Sequence, residues 1–494
     1  MNHQKTPTRS LSSPSYRNAM YAHLAYLEDK ISNSTDRREE FEEERLSLLA
    51  CRVQNRAILS PVRRIPTEIL GDIFWWTLPS IRDLERSGFD FRNSPWLLTH
   101  ISSRWRAISI ATSSLWLCIV IDYSEIRHKG PRGPSSEHHL SLVEAQIQRS
   151  RAQQLQVHFY ACLEMNSRAQ IQMFELLSQH SSRWEGLSLG LSSKIFPSLA
   201  TLRGRLPSLK RLWVQWDDSE TDSVESLLDC FQTASSLVDV GVFNEYRHVP
   251  MCLPAPQLTR YGLTGSWSIH ECILQGAPNL VEAHIGCVFD LELWSGSLIE
   301  LQRLQRLYIS DWLILSVLKA PALQELAVSL YPDEGPRYLN CLRDFVNRSL
   351  CSLRRICHRK SPEAHTIIEI LKSFPSLTEL VLITHYPVSE VISALRLTGS
   401  TVVAPQLQTL FFGCEVDATI DYTAYLDMLK ACWEAKDCAL QHAALITCGK
   451  PPLEPLTFIG LLALRQAGLD LVLSENESES FGFIKAWLYG TTWN

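Results

Sequence analysis

The sequence has no long apolar run. Its longest, Leu115 to Ile121, falls far short of the roughly 20 residues a membrane span requires, so no membrane partner is expected. Its first twenty residues hold Lys5, Arg9 and several Ser and Thr but no apolar segment, so a secretory signal is not expected either. There is no excess of positive charge: 47 Lys and Arg stand against 53 Asp and Glu. The resulting net charge of −6 argues against a sequence-independent grip on nucleic acid. The 14 cysteines contain no Cys-x-x-Cys pair, which suits free thiols in a reducing compartment better than a disulfide framework. These absences point to a soluble intracellular chain of the cytoplasm or nucleus.

Catalytic signatures are missing as well. No glycine-rich nucleotide cradle and no Gly-x-Ser-x-Gly elbow occurs. His270-Glu271 begins like a zinc-protease helix but lacks the second histidine four residues on. Cys341, Cys351, Cys357 and His358 come nearest to a metal set, at spacings that fit no usual zinc module. The expectation is a non-enzyme with no cofactor and no metal.

What is present is a 494-residue chain, 45% apolar and 20% charged, long enough for more than one core. Residues 1–18 are rich in Ser, Thr and Pro and read as a disordered tail. Residues 19–59 read as helical, with Leu24, Leu27 and Ile31 on one face. The polar cluster Asn33 to Asp36 is expected to stop one helix and cap the next, giving a helical hairpin or a short coiled coil. A tryptophan-rich block spans 60–122, a Pro- and Gly-containing linker 123–140, a repeat region 141–449 and a cap 450–494.

In the repeat region a small or proline residue precedes Leu-x-x-Leu-x-Leu or a variant. Full copies carry Leu209 with Leu212, Leu280 with Ile285, Leu323 with Leu326, Leu377 with Leu380, and Leu407 with Leu410. Weaker ones start at Trp184, Leu237, Leu258, Leu304 and Leu353. Each phrase suits a strand whose alternate residues enter a shared core that one unit alone cannot bury. Amphipathic stretches between phrases, such as Val224–Phe231 and Ile367–Leu371, suit helices on the convex side. The pattern resembles leucine-rich repeats, which implies an irregular solenoid with a parallel sheet and helices outside it. About ten strands would give a sheet of about 45 Å.

Residues beside the inward leucines then face the concave side. The partner-binding candidates are Arg211, Trp213, Phe243, Arg260, Glu282, Arg306, Tyr308, Glu325, Glu379 and Phe411. The alternative is that loops or the C-terminal tail cover the aromatics and make a secondary core.

The block at 60–122 opens with Ile65-Pro66-Thr67-Glu68-Ile69-Leu70, followed by Ile73-Phe74. It continues through Ser94-Pro95-Trp96-Leu97-Leu98, Ile101 and Trp105-Arg106, and closes on Ser113-Ser114-Leu115-Trp116. This order resembles the F-box-like proteins abundant in fungi. The insertion Thr77 to Asn93 and Ser102, where the family often has cysteine, depart from it. The resemblance implies docking on an Skp-type adaptor of a cullin ubiquitin ligase, with an unknown protein substrate on the repeats. Carried over, the adaptor-binding positions are Ile65, Pro66, Ile69, Leu70, Ile73, Leu97, Ile101, Trp105 and Trp116.

Overall fold

A computed structural model describes residues 14–59, 61–79, 95–123, 136–162, 167–216, 228–244, 251–287, 297–330, 334–360, 363–384, 389–396, 405–414, 421–435, 438–447 and 454–474. The chain divides into two compact units, residues 1–76 and 77–494.

The first unit holds α1 (Pro14–Leu59) and α2 (Thr67–Trp76). The expected break at Asn33–Asp36 is absent: α1 runs unbroken for 46 residues, about 70 Å, so there is no hairpin. The reason is local. Asn33 Nδ2 donates to Asp29 Oδ2 at 3.2 Å and the Ser34 hydroxyl to the Lys30 carbonyl at 2.8 Å. These polar side chains bond back along the helix instead of capping a new one. Proline at 61 sits just past the helix end, and Pro66 just before α2, where a missing N–H costs nothing.

The second unit starts with α3 (Leu98–Ile101) and α4 (Ser103–Ala111). Ser102 is the N-cap of α4, its hydroxyl accepting from the Trp105 amide at 3.2 Å. The sheet then begins within the stretch assigned to the tryptophan-rich block. Its strands are β1 (Cys118–Asp122), β2 (Leu155–Tyr160), β3 (Trp184–Leu191), β4 (Arg211–Trp216), β5 (Asp239–Asn244), β6 (Arg260–Gly265) and β7 (Glu282–Cys287). After the short β8 (Ile299–Glu300) come β9 (Arg306–Ile309), the short β10 (Leu318–Lys319), β11 (Glu325–Ser329), β12 (Arg355–Arg359) and β13 (Glu379–Thr384). The last are β14 (Thr409–Cys414), β15 (His442–Thr447) and β16 (Asp470–Ser474). Apart from β8 and β10, which pair with each other, all lie in chain order in one 14-stranded parallel sheet. At about 4.8 Å per strand the sheet runs about 60 Å, longer than ten phrases predicted.

All ten phrases occupy strands. The sheet also takes in β15 and β16, whose Leu440-x-x-Ala443 and Leu469-x-Leu471 are too degenerate to read. Residues 454–474 therefore extend the repeat instead of capping it, and residues 475–494 lie outside the described set. Helices α5 (Ser136–Arg149), α6 (Ser167–Ser178), α7 (Trp267–Gln275), α8 (Gly335–Ser349), α9 (Ala364–Ser373), α10 (Ser389–Leu395), α11 (Tyr422–Glu434) and α12 (Pro455–Gln466) share one apolar core with the inward strand residues. Helix α5 takes up the end of the expected linker, of which 124–135 fall outside the described residues. Of the predicted helical stretch Val224–Phe231, only Leu228 onward is described, and Leu228 bridges Met251 in parallel fashion.

Just before the main-sheet strands from β4 to β15 the backbone repeats one contact. Val281 N donates to Thr259 O (2.8 Å), Gln305 N to Val281 O (2.9 Å), Gln324 N to Gln305 O (2.9 Å) and Arg354 N to Gln324 O (2.8 Å). This chain of amides fixes the register, and the phrase leucines Leu258, Leu280, Leu304, Leu323, Leu353 and Leu377 pack beneath it, all buried.

Candidate functional site

Strand pairing brings the first residue of each successive strand into one row on the face opposite the helices. Arg211 lies beside Asp239, Asp239 beside Arg260, Arg260 beside Glu282 and Glu282 beside Arg306. Glu325, Arg355, Glu379, Thr409, His442 and Asp470 continue it. From β4 to β13 the charges alternate without a break, so each is flanked by its opposite. Arg260 reaches Asp239 at 3.6 Å and Glu282 at 3.0 Å, and Arg306 reaches Glu282 at 2.7 Å. Arg355 spans Glu325 and Glu379, at 3.2 Å from each.

The centre of this row is Glu282, which is buried and takes three partners. Burial alone would raise its carboxyl, but the His284 hydrogen bond (2.7 Å), with Arg260 and Arg306, holds it below the usual carboxylate range. His284 is itself kept low by burial, against the pull of Glu282, so its Nε2–H donates from a neutral ring. Asp239 goes the other way: burial pushes it up to about 6, only partly opposed by Arg260 and Arg211, with Glu282 adding to the rise. A shallow groove of about 460 Å³ runs along this stretch, lined by Lys210, Arg211, Asp239, Arg260, Glu282 and Arg306 among others. It is a neutralised surface, with most of its charges already spoken for.

The third and fifth residues of the strands form two further rows on the same face. On β2–β5 they are accessible in part. Tyr160 lies edge-on to Trp213 at 6.3 Å and its hydroxyl meets Ser188 Oγ at 3.0 Å. Glycine at 190 makes this possible, since a Cβ there would fall 3.2 Å from the Tyr160 Cα. Phe243 is 47% exposed. From β9 to β15 the third-position row is apolar and buried: Tyr308, Ala327, Cys357, Val381, Phe411 and Ala444. Ile383 and Ile446 join it from the fifth positions of β13 and β15, while Ser329 and Arg359 leave the fifth row polar on β11 and β12. The concave candidates thus separate. Trp213 and Phe243 are reachable, Arg260 and Glu282 are locked in ion pairs, and Tyr308 and Phe411 belong to a second core. Val381, Ile383 and Cys357 were missed because one apolar residue on an alternating strand gives no sign of which face it takes.

The residues carried over from the F-box-like family also separate. On α2, Ile69 is 51% and Ile73 41% exposed, whereas Leu70 is 1% exposed and Phe74 is buried beside it on the same helix. Pro66 is exposed and Ile65 half-buried. Trp75 and Trp76, set edge-on at 5.1 Å, add exposed apolar area that the family phrase did not single out. In the second unit Leu97 and Ile101 are exposed and Trp105 is half-buried. Trp116 is fully buried: its Nε1 donates to the Ser109 carbonyl at 2.7 Å, and its ring meets Trp96 edge-on at 5.0 Å. The Arg149 guanidinium lies 4.5 Å from both rings. Leu70 and Trp116 are therefore packing residues and are withdrawn as docking positions.

The cysteine–histidine group is likewise structural. His358 takes a core position usually held by Val or Leu, with the Tyr338 hydroxyl 3.0 Å from its Nε2, and burial lowers its pKa to about 3. His270 is buried against the Tyr261 hydroxyl at 2.9 Å. Among the described residues no group of three or more His, Cys, Asp or Glu could hold a metal ion, and no helix is long and apolar enough to cross a membrane.

No family model matches this chain, and no curated protein does. Among solved structures it is similar to a crystal structure of a TLR13–ssRNA13 complex, with 15% identity and a TM-score of 0.35. The match covers 61% of this chain and 46% of that one, so this chain spans about half the length of its neighbour. The α/β solenoid is defined here by its own strand pairing.

Proposed function

We propose that the chain is an F-box-like substrate receptor, docking on an Skp-type adaptor of a cullin ubiquitin ligase and holding a protein substrate on its solenoid. The observation that carries this is α2, a ten-residue helix that buries Leu70 and Phe74 while presenting Ile69, Ile73, Trp75 and Trp76 to solvent. Exposed apolar side chains in that density mark an interaction site. No residue performs chemistry in this reading; tethering raises the substrate's effective concentration near the ligase. On the solenoid, the accessible Trp213, Phe243 and half-buried Tyr160 supply aromatic anchors beside a neutralised charge row, a composition suited to a protein partner.

The test is co-purification of the full chain with an Skp-type adaptor, wild type beside Ile69→Asp plus Ile73→Asp. Both side chains are exposed, so the variant should stay folded. Retention of the wild type and loss of the variant support the receptor. A folded wild type that captures no adaptor shifts the reading to a scaffold outside the ligase, which the exposure of the described side chains of α1 favours.

A further inference from the structure

The charged row closes its ion pairs except at its β4 end. Arg260, Arg306 and Arg355 each lie within 3.6 Å of a carboxylate. Arg211, the first cation of the row, is exposed, and among the described residues its guanidinium has neither an ion pair nor a hydrogen bond. Its two flanks show why. On β3 the matching position is Gly186, which has no side chain to offer. The neutral Gln156 carboxamide lies there instead, where a Cβ on Gly186 would collide with its Oε1, and its Nε2 donates to Glu185 Oε2 at 3.2 Å. On β5 the matching carboxylate is Asp239, which is turned to Arg260 at 3.6 Å.

Arg211 also stands among groups suited to recognition. It lines the groove with Lys210, Arg260 and Arg306 against Glu185, Asp239 and Glu282, an excess of one cation. Two residues along β4, on the same face, is the half-buried Trp213, with the Tyr160 ring edge-on at 6.3 Å. The Tyr160 hydroxyl is tied to Ser188 Oγ at 3.0 Å, which holds that ring in place. An uncompensated guanidinium and an aromatic plate therefore stand about 6.6 Å apart along the strand.

We propose that Arg211 and Trp213 seat an extended acidic segment of a protein partner, with an Asp or Glu side chain on Arg211 and an aromatic side chain two residues away on Trp213. The spacing follows from strand geometry, since alternate side chains of an extended chain share one side at the same pitch. A carboxylate can take two parallel bonds from the planar guanidinium. A single free cation suits a carboxylate better than a phosphate, whose larger charge calls for a cluster of cations. The sequence neighbour Lys210 is already paired with Glu185 at 2.9 Å. This inference rests on the reading of the solenoid as a protein-binding surface and is independent of the adaptor.

The test pans a random peptide library displayed on phage against the immobilised full chain. Recovered peptides are then measured in solution by fluorescence polarisation. They should carry Asp or Glu two positions from Trp, Phe or Tyr. Replacing that acid by Gln in the peptide, or Arg211→Gln in the protein, should each weaken binding about tenfold, and the two losses should not add. Arg211→Glu should instead favour the peptide with Lys at the acidic position. Arg211 has no bond to lose among the described residues, so its variants should fold. If one does not, the peptide-side change on the wild-type chain decides. Binders without the acidic position, binders indifferent to Arg211, or no binders at all overturn the proposal. So does a phosphoserine at the acidic position that binds more tightly than Asp or Glu. Adaptor co-purification is read separately: a chain that holds the adaptor yet selects no acidic peptide loses this inference and keeps the docking half of the receptor.

Discussion

Glu282 concentrates three cationic or hydrogen-bonding partners on one buried carboxylate, and Asp239 two strands away sits with far less compensation. The two should behave oppositely. Glu282→Ala strands Arg260 and Arg306 beside each other, and partial exposure of Arg306 limits the damage. The expected loss is about 2–4 kcal/mol, read from urea unfolding at pH 7. Asp239 titrates at about 6 when folded and at about 4 when unfolded, so the folded state holds its proton more tightly. Its contribution is full below about pH 4 and gone above about pH 6. Relative to Asp239→Asn, the wild type should therefore gain up to about 2 kcal/mol as the pH falls from 7 to 4. A difference that is flat with pH, or that grows as pH rises, would show that the carboxyl is better solvated than its burial implies.

At the scale of elements, α1 shows where pattern reading stops. The spacing of Leu24, Leu27 and Ile31 gave the helix, but the cluster at 33–36 read as a stop, since Asn, Ser and Asp serve caps and interiors alike. Whether Ser34 caps or bonds back to Lys30 depends on the backbone already being helical there. Proline tests the continuity: Ser34→Pro should interrupt α1 at a cost of about 3 kcal/mol within it. Helical circular dichroism should fall while the unfolding midpoint of the solenoid holds. A midpoint that drops with it would mean that the two units do not unfold independently. The strands were easier, because the leucine phrase repeats one local requirement many times. Strands β15 and β16 escaped notice because Ala443 and a shifted Leu471 satisfy the core once neighbours are stacked, without keeping the phrase.

Across the whole molecule, stability passes from repeat to repeat, since each unit buries its face chiefly on its neighbours. Among the described residues β1 and β16 each pair on one side only. Hydrogen exchange should therefore be slowest in β11–β13 and fastest in β1 and β16. Equal protection throughout would indicate that the sheet opens only as a block. The sequence by itself determined the parallel repeat, the inward leucines and the set of residues beside them, because period and alternation are local properties. It also located the apolar phrase of α2. Only the tertiary structure decided which of those residues are surface. Leu70 and Trp116 went to packing and Ile69 and Ile73 to solvent, since both sets look alike as apolar letters. It also decided that the charged row neutralises itself and that half of the opposite face is a second core. Both follow from register and cover between segments far apart in the chain, and neither leaves a local trace in the sequence.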